Sequence, residues 1–138
     1  MIKNILITGG AGYVGTMLAY RLVSENKKVI IYDTFWYGEP KNLFFEILDK
    51  IKIVKADIRD PNTFKSAIAD NDVDCVIHLA CVSNDPSYEL NPNLGKSINY
   101  DCFENLVKIS KDNGVKRFIY ASSSSVYGVK EEQEVTEN

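Results

Sequence analysis

The sequence predicts a doubly wound α/β domain, an open parallel β-sheet with helices on both faces, spanning residues 1–138. Three observations carry this. Short runs rich in Val and Ile alternate with segments of helical period. The runs are apolar at successive positions, so both faces of each strand are covered, as in parallel sheets. A glycine-rich turn, Thr8-Gly9-Gly10-Ala11-Gly12-Tyr13-Val14-Gly15, joins the first run to the first helical segment. Right-handed crossovers then favour strand order 3-2-1-4-5, with ligands along the carboxyl edge.

The elements follow in order. Residues 2–8 read as the first strand and 13–25 as its helix, with Val14, Met17, Leu18 and Leu22 in helical period. Residues 28–33 form the second strand, followed by an aromatic loop, Thr34-Phe35-Trp36-Tyr37-Gly38. Pro40 opens a short helix with Leu43, Phe44, Ile47 and Leu48 on one face. Residues 51–55 form the third strand, ending at Ala56-Asp57-Ile58. Asp60-Pro61 is a cap and first-turn proline, and Phe64, Ala67 and Ile68 are the inner face of the helix it starts. Residues 73–80 form the fourth strand, and Val82, Ser83, Asn84 and Asp85 begin a substrate-facing loop. Asn91-Pro92 opens a helix that runs to Asn113-Gly114, with Ile98, Cys102, Leu106 and Ile109 inward. Residues 116–121 form the fifth strand, and the tail from Lys130 to Asn138 has no apolar period.

Composition bounds the function. The chain is 45% hydrophobic and 25% charged, as globular domains are. A net charge of −3 offers no electrostatic attraction for nucleic acid or an anionic membrane. The apolar run at the N-terminus is too short for a signal peptide, and no run is long enough to span a bilayer. Cys75, Cys81 and Cys102 have no metal-ligand spacing and do not combine with the single His78 into a metal site. They read as packed, reduced thiols of a cytoplasmic protein.

The glycine turn carries the chemistry. A helix N-terminus presents unpaired amides and a partial positive charge, which attract phosphate. Gly9 allows the sharp turn, Gly12 leaves room for a pyrophosphate, and Gly15 allows close packing of the helix on the sheet. Asp33 ends the second strand roughly twenty residues beyond the turn, where a carboxylate accepts the adenosine ribose hydroxyls and repels a 2′-phosphate. The cofactor implied is NAD(H) in preference to NADP(H).

These residues resemble the extended short-chain dehydrogenase/reductases, in particular the NAD-dependent epimerase/dehydratase group acting on nucleotide sugars, which have a Rossmann fold. The turn, with Gly9, Gly12, Tyr13, Val14 and Gly15, looks like the family's TGGxGxxG. Asp33 looks like its ribose-binding acid, and Asp57-Ile58 falls where the family contacts adenine. His78-Leu79-Ala80-Cys81 resembles the H-L-A-A/G segment lining the cofactor ribose, and Asn99 matches an asparagine of the following helix. Tyr120-Ala121-Ser122-Ser123-Ser124-Ser125-Val126-Tyr127-Gly128 resembles S-S-x-x-V-Y-G. The resemblance implies that Ser123 bonds the sugar oxygen and assists a catalytic tyrosine, with Ser122 or Ser124 as alternatives.

There are departures. Some dehydratases of the group carry an acidic pair where this chain has Ser124 and Ser125. Ser83 stands where certain epimerases hold the nicotinamide ribose with a lysine. The family's Tyr-x-x-x-Lys base pair lies beyond Asn138, and Tyr37–Lys41 has that spacing only by coincidence, with Pro40 inside it. The expectation is the NAD-binding part of a nucleotide-sugar epimerase or dehydratase, truncated before the substrate lobe, inactive alone, and associating through an exposed sheet edge as a homodimer. A non-enzymatic dinucleotide-binding module and a carbonyl-reductase fragment remain open alternatives.

Overall fold

The computed structural model describes residues 1–83 and 85–123. Ser124, Ser125, the Val126-Tyr127-Gly128 triplet and the tail lie outside the described residues. Five parallel strands, β1 (Asn4–Thr8), β2 (Lys28–Asp33), β3 (Ile51–Lys55), β4 (Cys75–His78) and β5 (Arg117–Tyr120), form one sheet in the order β3-β2-β1-β4-β5. The expected doubly wound order is therefore the observed one. β1 is central, with Leu6 opposite Ile30 and Val76, and Thr8 opposite Tyr32 and His78.

Because strand side chains alternate in direction, each strand feeds two cores. Ile5, Ile7, Val29, Ile31 and Cys75 pack on one face against α1 (Tyr13–Ser24) and the segment following α2 (Pro40–Leu43). Leu6, Ile30, Tyr32 and Val76 pack on the other against α3 (Pro61–Ala69) and the helical stretch before β5. Phe64, Ala67 and Ile68 are buried, as expected, and Phe64 meets the Tyr32 ring edge-on at 5.6 Å.

Several boundaries differ from the sequence reading. β1 and β4 are shorter than expected. Bonding continues past β4, from Leu79 N to Thr8 O at 3.0 Å, and then the chain diverges beside the glycine turn. α2 ends at Leu43, so Phe44 and Ile47 are buried but Leu48 is exposed, at the start of a 3₁₀ turn. The stretch after Val82, expected as loop, contains a short helix, α4 (Asp85–Leu90). The single helix expected from Asn91-Pro92 is three consecutive segments: α5 (Pro92–Lys96), a π-helical turn (Ser97–Asp101) and α6 (Phe103–Asp112). Its inward residues Ile98, Cys102 and Leu106 are buried, and Gly114 stops it at φ +79. Cys75 and Cys102 are buried, but Cys81 is exposed, which corrects the expectation of three packed thiols. Cys81 lies past the end of β4, where the chain lines a cleft instead of the core. Among the described residues no helix is long and apolar enough to cross a membrane.

Candidate functional site

A cleft of about 480 Å³ lies at the carboxyl edge of the sheet. Its floor is the glycine turn. Gly9 follows β1 at φ +67, with its amide donating to Tyr32 O at 2.9 Å. A side chain there would be strained, and a Cβ would lie 2.6 Å from Ala80 N, so Gly9 serves both the turn and the close approach of the β4 end. A Cβ on Gly15 would lie 2.6 Å from Gly9 O and 2.7 Å from Gly10 Cα. Gly15 thus closes the helix onto the turn itself, not onto the sheet as the sequence reading had it. Gly12 is different. It is exposed, and an added Cβ would meet only Gly9 O, at 3.2 Å.

Gly12 is the N-cap of α1 and supplies no capping side chain. Thr16 is the first residue whose amide finds a helical acceptor, Gly12 O at 2.9 Å. Tyr13, Val14 and Gly15 precede it and line the cleft, so the first-turn amides and the helix dipole serve this opening. The space above Gly12, together with amides that no side chain caps, fits a pyrophosphate.

Asp33 sits beside this floor. Its Oδ2 accepts from Ala11 N at 3.0 Å and its Oδ1 from Phe35 N at 2.7 Å. The carboxylate therefore fastens the glycine turn to the end of β2. Two bonds leave lone pairs on both oxygens, enough for a vicinal diol. Asp57 and Ile58 follow β3 on the neighbouring wall. Arg59 grips Asp57 with its guanidinium, Nε to Oδ1 at 2.9 Å, and reaches Ser97 Oγ at 3.2 Å through Nη1. That hydrogen-bonded guanidinium holds the Asp57 carboxyl below its ordinary range.

Leu79, Ala80 and Cys81 form the third wall. Beneath it, Thr8 Oγ1 and His78 Nδ1 share a buried hydrogen bond of 2.7 Å. Burial lowers the His78 pKa from 6.5 to about 4, so the imidazole is neutral at physiological pH. Desolvation raises the Cys81 thiol, partly offset by a hydrogen bond from Ser83, so Cys81 is not a poised nucleophile. Asn99 alone of the expected cofactor contacts is not among the cleft-lining residues. Its amide clamps the backbone of Val82 instead, accepting from Val82 N at 2.8 Å and donating to Val82 O at 3.0 Å. Ala121 and Ser122 line the cleft beyond β5, and Ser123, next in the chain, is exposed. Trp36 and Tyr37 also line the cleft, a position the sequence reading did not give them. The signal was a run of three aromatics in a loop directly after Asp33. Among the described residues no cluster of three His, Cys, Asp or Glu could hold a metal ion.

The profile of the NAD dependent epimerase/dehydratase family matches residues 5–138. The chain belongs to this family. It is 32% identical to a UDP-glucose 4-epimerase of Pasteurella multocida, over 97% of this chain and 40% of the relative. It is 35% identical to a UDP-N-acetyl-alpha-D-glucosaminuronate decarboxylase of Bacillus cytotoxicus, over 93% of this chain and 39% of the relative. A UDP-glucose-4-epimerase from Stenotrophomonas maltophila, crystallised with NAD and formylated UDP-arabinopyranose, superposes with a TM-score of 0.88 at 27% identity, covering 98% of this chain and 41% of that one. The chain thus spans about 40% of the length of these three proteins, corresponding to their N-terminal portion.

Proposed function

We propose that this chain is a single domain that binds NAD(H) along the carboxyl edge of its sheet, as the cofactor-holding part of a cytoplasmic nucleotide-sugar oxidoreductase of the epimerase or decarboxylase kind. The observation that carries the reading is the uncapped first turn of α1 under the open space at Gly12, fastened to Asp33. The bound cofactor would supply hydride acceptance. The glycine turn holds the pyrophosphate, Asp33 the adenosine ribose, Asp57 and Ile58 the adenine, and Leu79, Ala80 and Cys81 the nicotinamide-side ribose. Asn99 acts at one remove, by setting the Val82 backbone. Ser122 and Ser123 stand at the sugar end, where a hydroxyl would orient the reacting oxygen. The family names of the relatives support a UDP-sugar as substrate. Tyr37 and Lys41, which have the Tyr-x-x-x-Lys spacing, follow Asp33 at the adenosine end and are given no part in the sugar chemistry.

Calorimetric titration tests this. NAD⁺ should bind at least about tenfold more tightly than NADP⁺, because an uncompensated charge clash at Asp33 costs at least about 1.4 kcal/mol. Equal affinities would remove Asp33 from its role. Association is the finer part of the proposal. The β3 edge carries exposed Lys52 and Lys55 along its length, which discourage strand addition, whereas β5 begins with exposed Arg117 but exposes Ile119 and Tyr120 over its carboxyl half. A homodimer through β5 is expected in sedimentation at micromolar concentration, and a monomer there would refute it.

A further inference from the structure

The loop after β2 is unusual for what it exposes. Phe35 is buried, 6% accessible, yet takes a left-handed conformation at φ +59. Bulky side chains rarely adopt that region, and doing so costs free energy that other contacts must offset. Two contacts do: the amide of Phe35 donates to Asp33 Oδ1 at 2.7 Å, and its ring joins the core with Phe44 and Ile47. With Phe35 anchored inward, the chain presents Trp36 and Tyr37 outward, 54% and 87% accessible. Both border the cleft, and among the described residues neither ring stacks on another ring. The β3 end is adjacent, since Ala56 N donates to Asp33 O at 2.9 Å, and it contributes Ala56 and buried Ile58 to the same cleft.

We propose that Trp36, with Tyr37 beside it, is an aromatic lip that stacks on the adenine base of the dinucleotide, held in place by left-handed Phe35. The proposal rests on the NAD reading above and adds a determinant to it. Adenine has a flat π-face that a tryptophan matches, and Ile58 provides an apolar counterpart. Asp33 ties the two functions together, because the carboxylate that would hold the ribose also bonds the Phe35 amide.

Trp36 is the only tryptophan in the chain, so its emission reports on this site alone. NAD⁺, ADP-ribose and AMP should each quench it, whereas nicotinamide mononucleotide at the same concentration should not. In calorimetry, Trp36→Ala should weaken NAD⁺ binding about tenfold, and Trp36→Phe should stay within about threefold of the parent. Circular dichroism should be unchanged in both, since the side chain is half exposed. NAD⁺ binding that leaves both the emission and the Trp36→Ala affinity unaltered overturns the lip and leaves the cofactor reading standing. Failure of the unmodified chain to bind NAD⁺ in calorimetry overturns both.

Discussion

The two ends of the sheet are built on opposite plans. At the amino ends of the strands, polar groups answer one another within the chain. Asp74, just before β4, accepts from the amides of Lys3 at 2.9 Å and Asn4 at 3.1 Å and pairs with the Lys116 ammonium, binding the starts of β1, β4 and β5 together. The Asn4 amide group closes the same corner by donating to Asn71 O and Asp72 O. At the carboxyl ends, β1 runs into glycines and a helix start that no side chain caps. α2 shares the lack of a side-chain cap, whereas α3 and α5 do not. α3 begins under Asp60, which accepts from Asn62 N and Thr63 N, and α5 begins under Asn91, which accepts from Leu94 N. Hydrogen-bond capacity satisfied internally holds the fold, and capacity left over at α1 is available to a ligand.

The most severe way to break this difference is to fill the space over Gly12. Gly12→Val puts two methyl groups on a Cβ already 3.2 Å from Gly9 O, and the branch extends into the cleft. Dinucleotide affinity should fall by about two orders of magnitude or more while helical content stays, because the backbone at Gly12 is extended, at φ −74 and ψ 175. Unchanged calorimetric affinity would place the phosphate elsewhere.

Acid should separate the two ends of β4 by pH. The unfolded imidazole of His78 takes a proton near pH 6.5, whereas the folded one resists until about 4. The unfolded chain therefore binds more protons in that window. Stability is full above pH 6.5 and falls by about 3 kcal/mol as the pH drops toward 4. Asp74 behaves differently. The Lys116 ion pair, then the two amides, hold its carboxyl far below the usual range, so its contribution is present above the unfolded value of 3.8 and is lost only below it. Urea midpoints across this range should fall in two stages. His78→Gln should flatten the upper stage and Asp74→Asn the lower. A single stage untouched by His78→Gln would rule out the buried neutral imidazole.

The smallest effect sharpens the comparison from its structural side. Asn91→Ala removes a cap that serves only the helix, so thermal or urea unfolding should show a loss of about 1 kcal/mol. NAD⁺ affinity should not change, and a matching loss of affinity would show that the α5 start belongs to the site.

Sheet order and the cleft were legible in the sequence because both rest on short-range pattern. The apolar runs around Leu6, Ile30 and Val76, and the spacing of Gly9, Gly12 and Gly15, are local signals, although which surface Gly15 lets the helix approach was not among them. What stayed hidden depends on which distant groups meet. Nothing near Asn99 announces that its amide will close on Val82 from within a π-helical turn, or that Arg59 will join Asp57 to Ser97. The α4 helix was within reach, since Asp85-Pro86 repeats the pairing at Asp60-Pro61 and Asn91-Pro92. The exposure of Cys81 was not, because an apolar strand and the wall that follows it look alike in one dimension.

Asp33 has a consequence for anyone who would re-engineer the cofactor preference. Its two oxygens tether Ala11 and Phe35 before any ribose arrives. A swap to a basic or apolar residue, the obvious route to a phosphorylated ribose, would also strip the acceptors from the Ala11 and Phe35 amides, leaving the Gly9–Tyr32 bond to hold the glycine turn to β2 and the buried Phe35 ring to hold the loop that carries Trp36. Selectivity and scaffold share one side chain here. A redesign would first need a new acceptor for the Ala11 amide, and only then a cation for the phosphate.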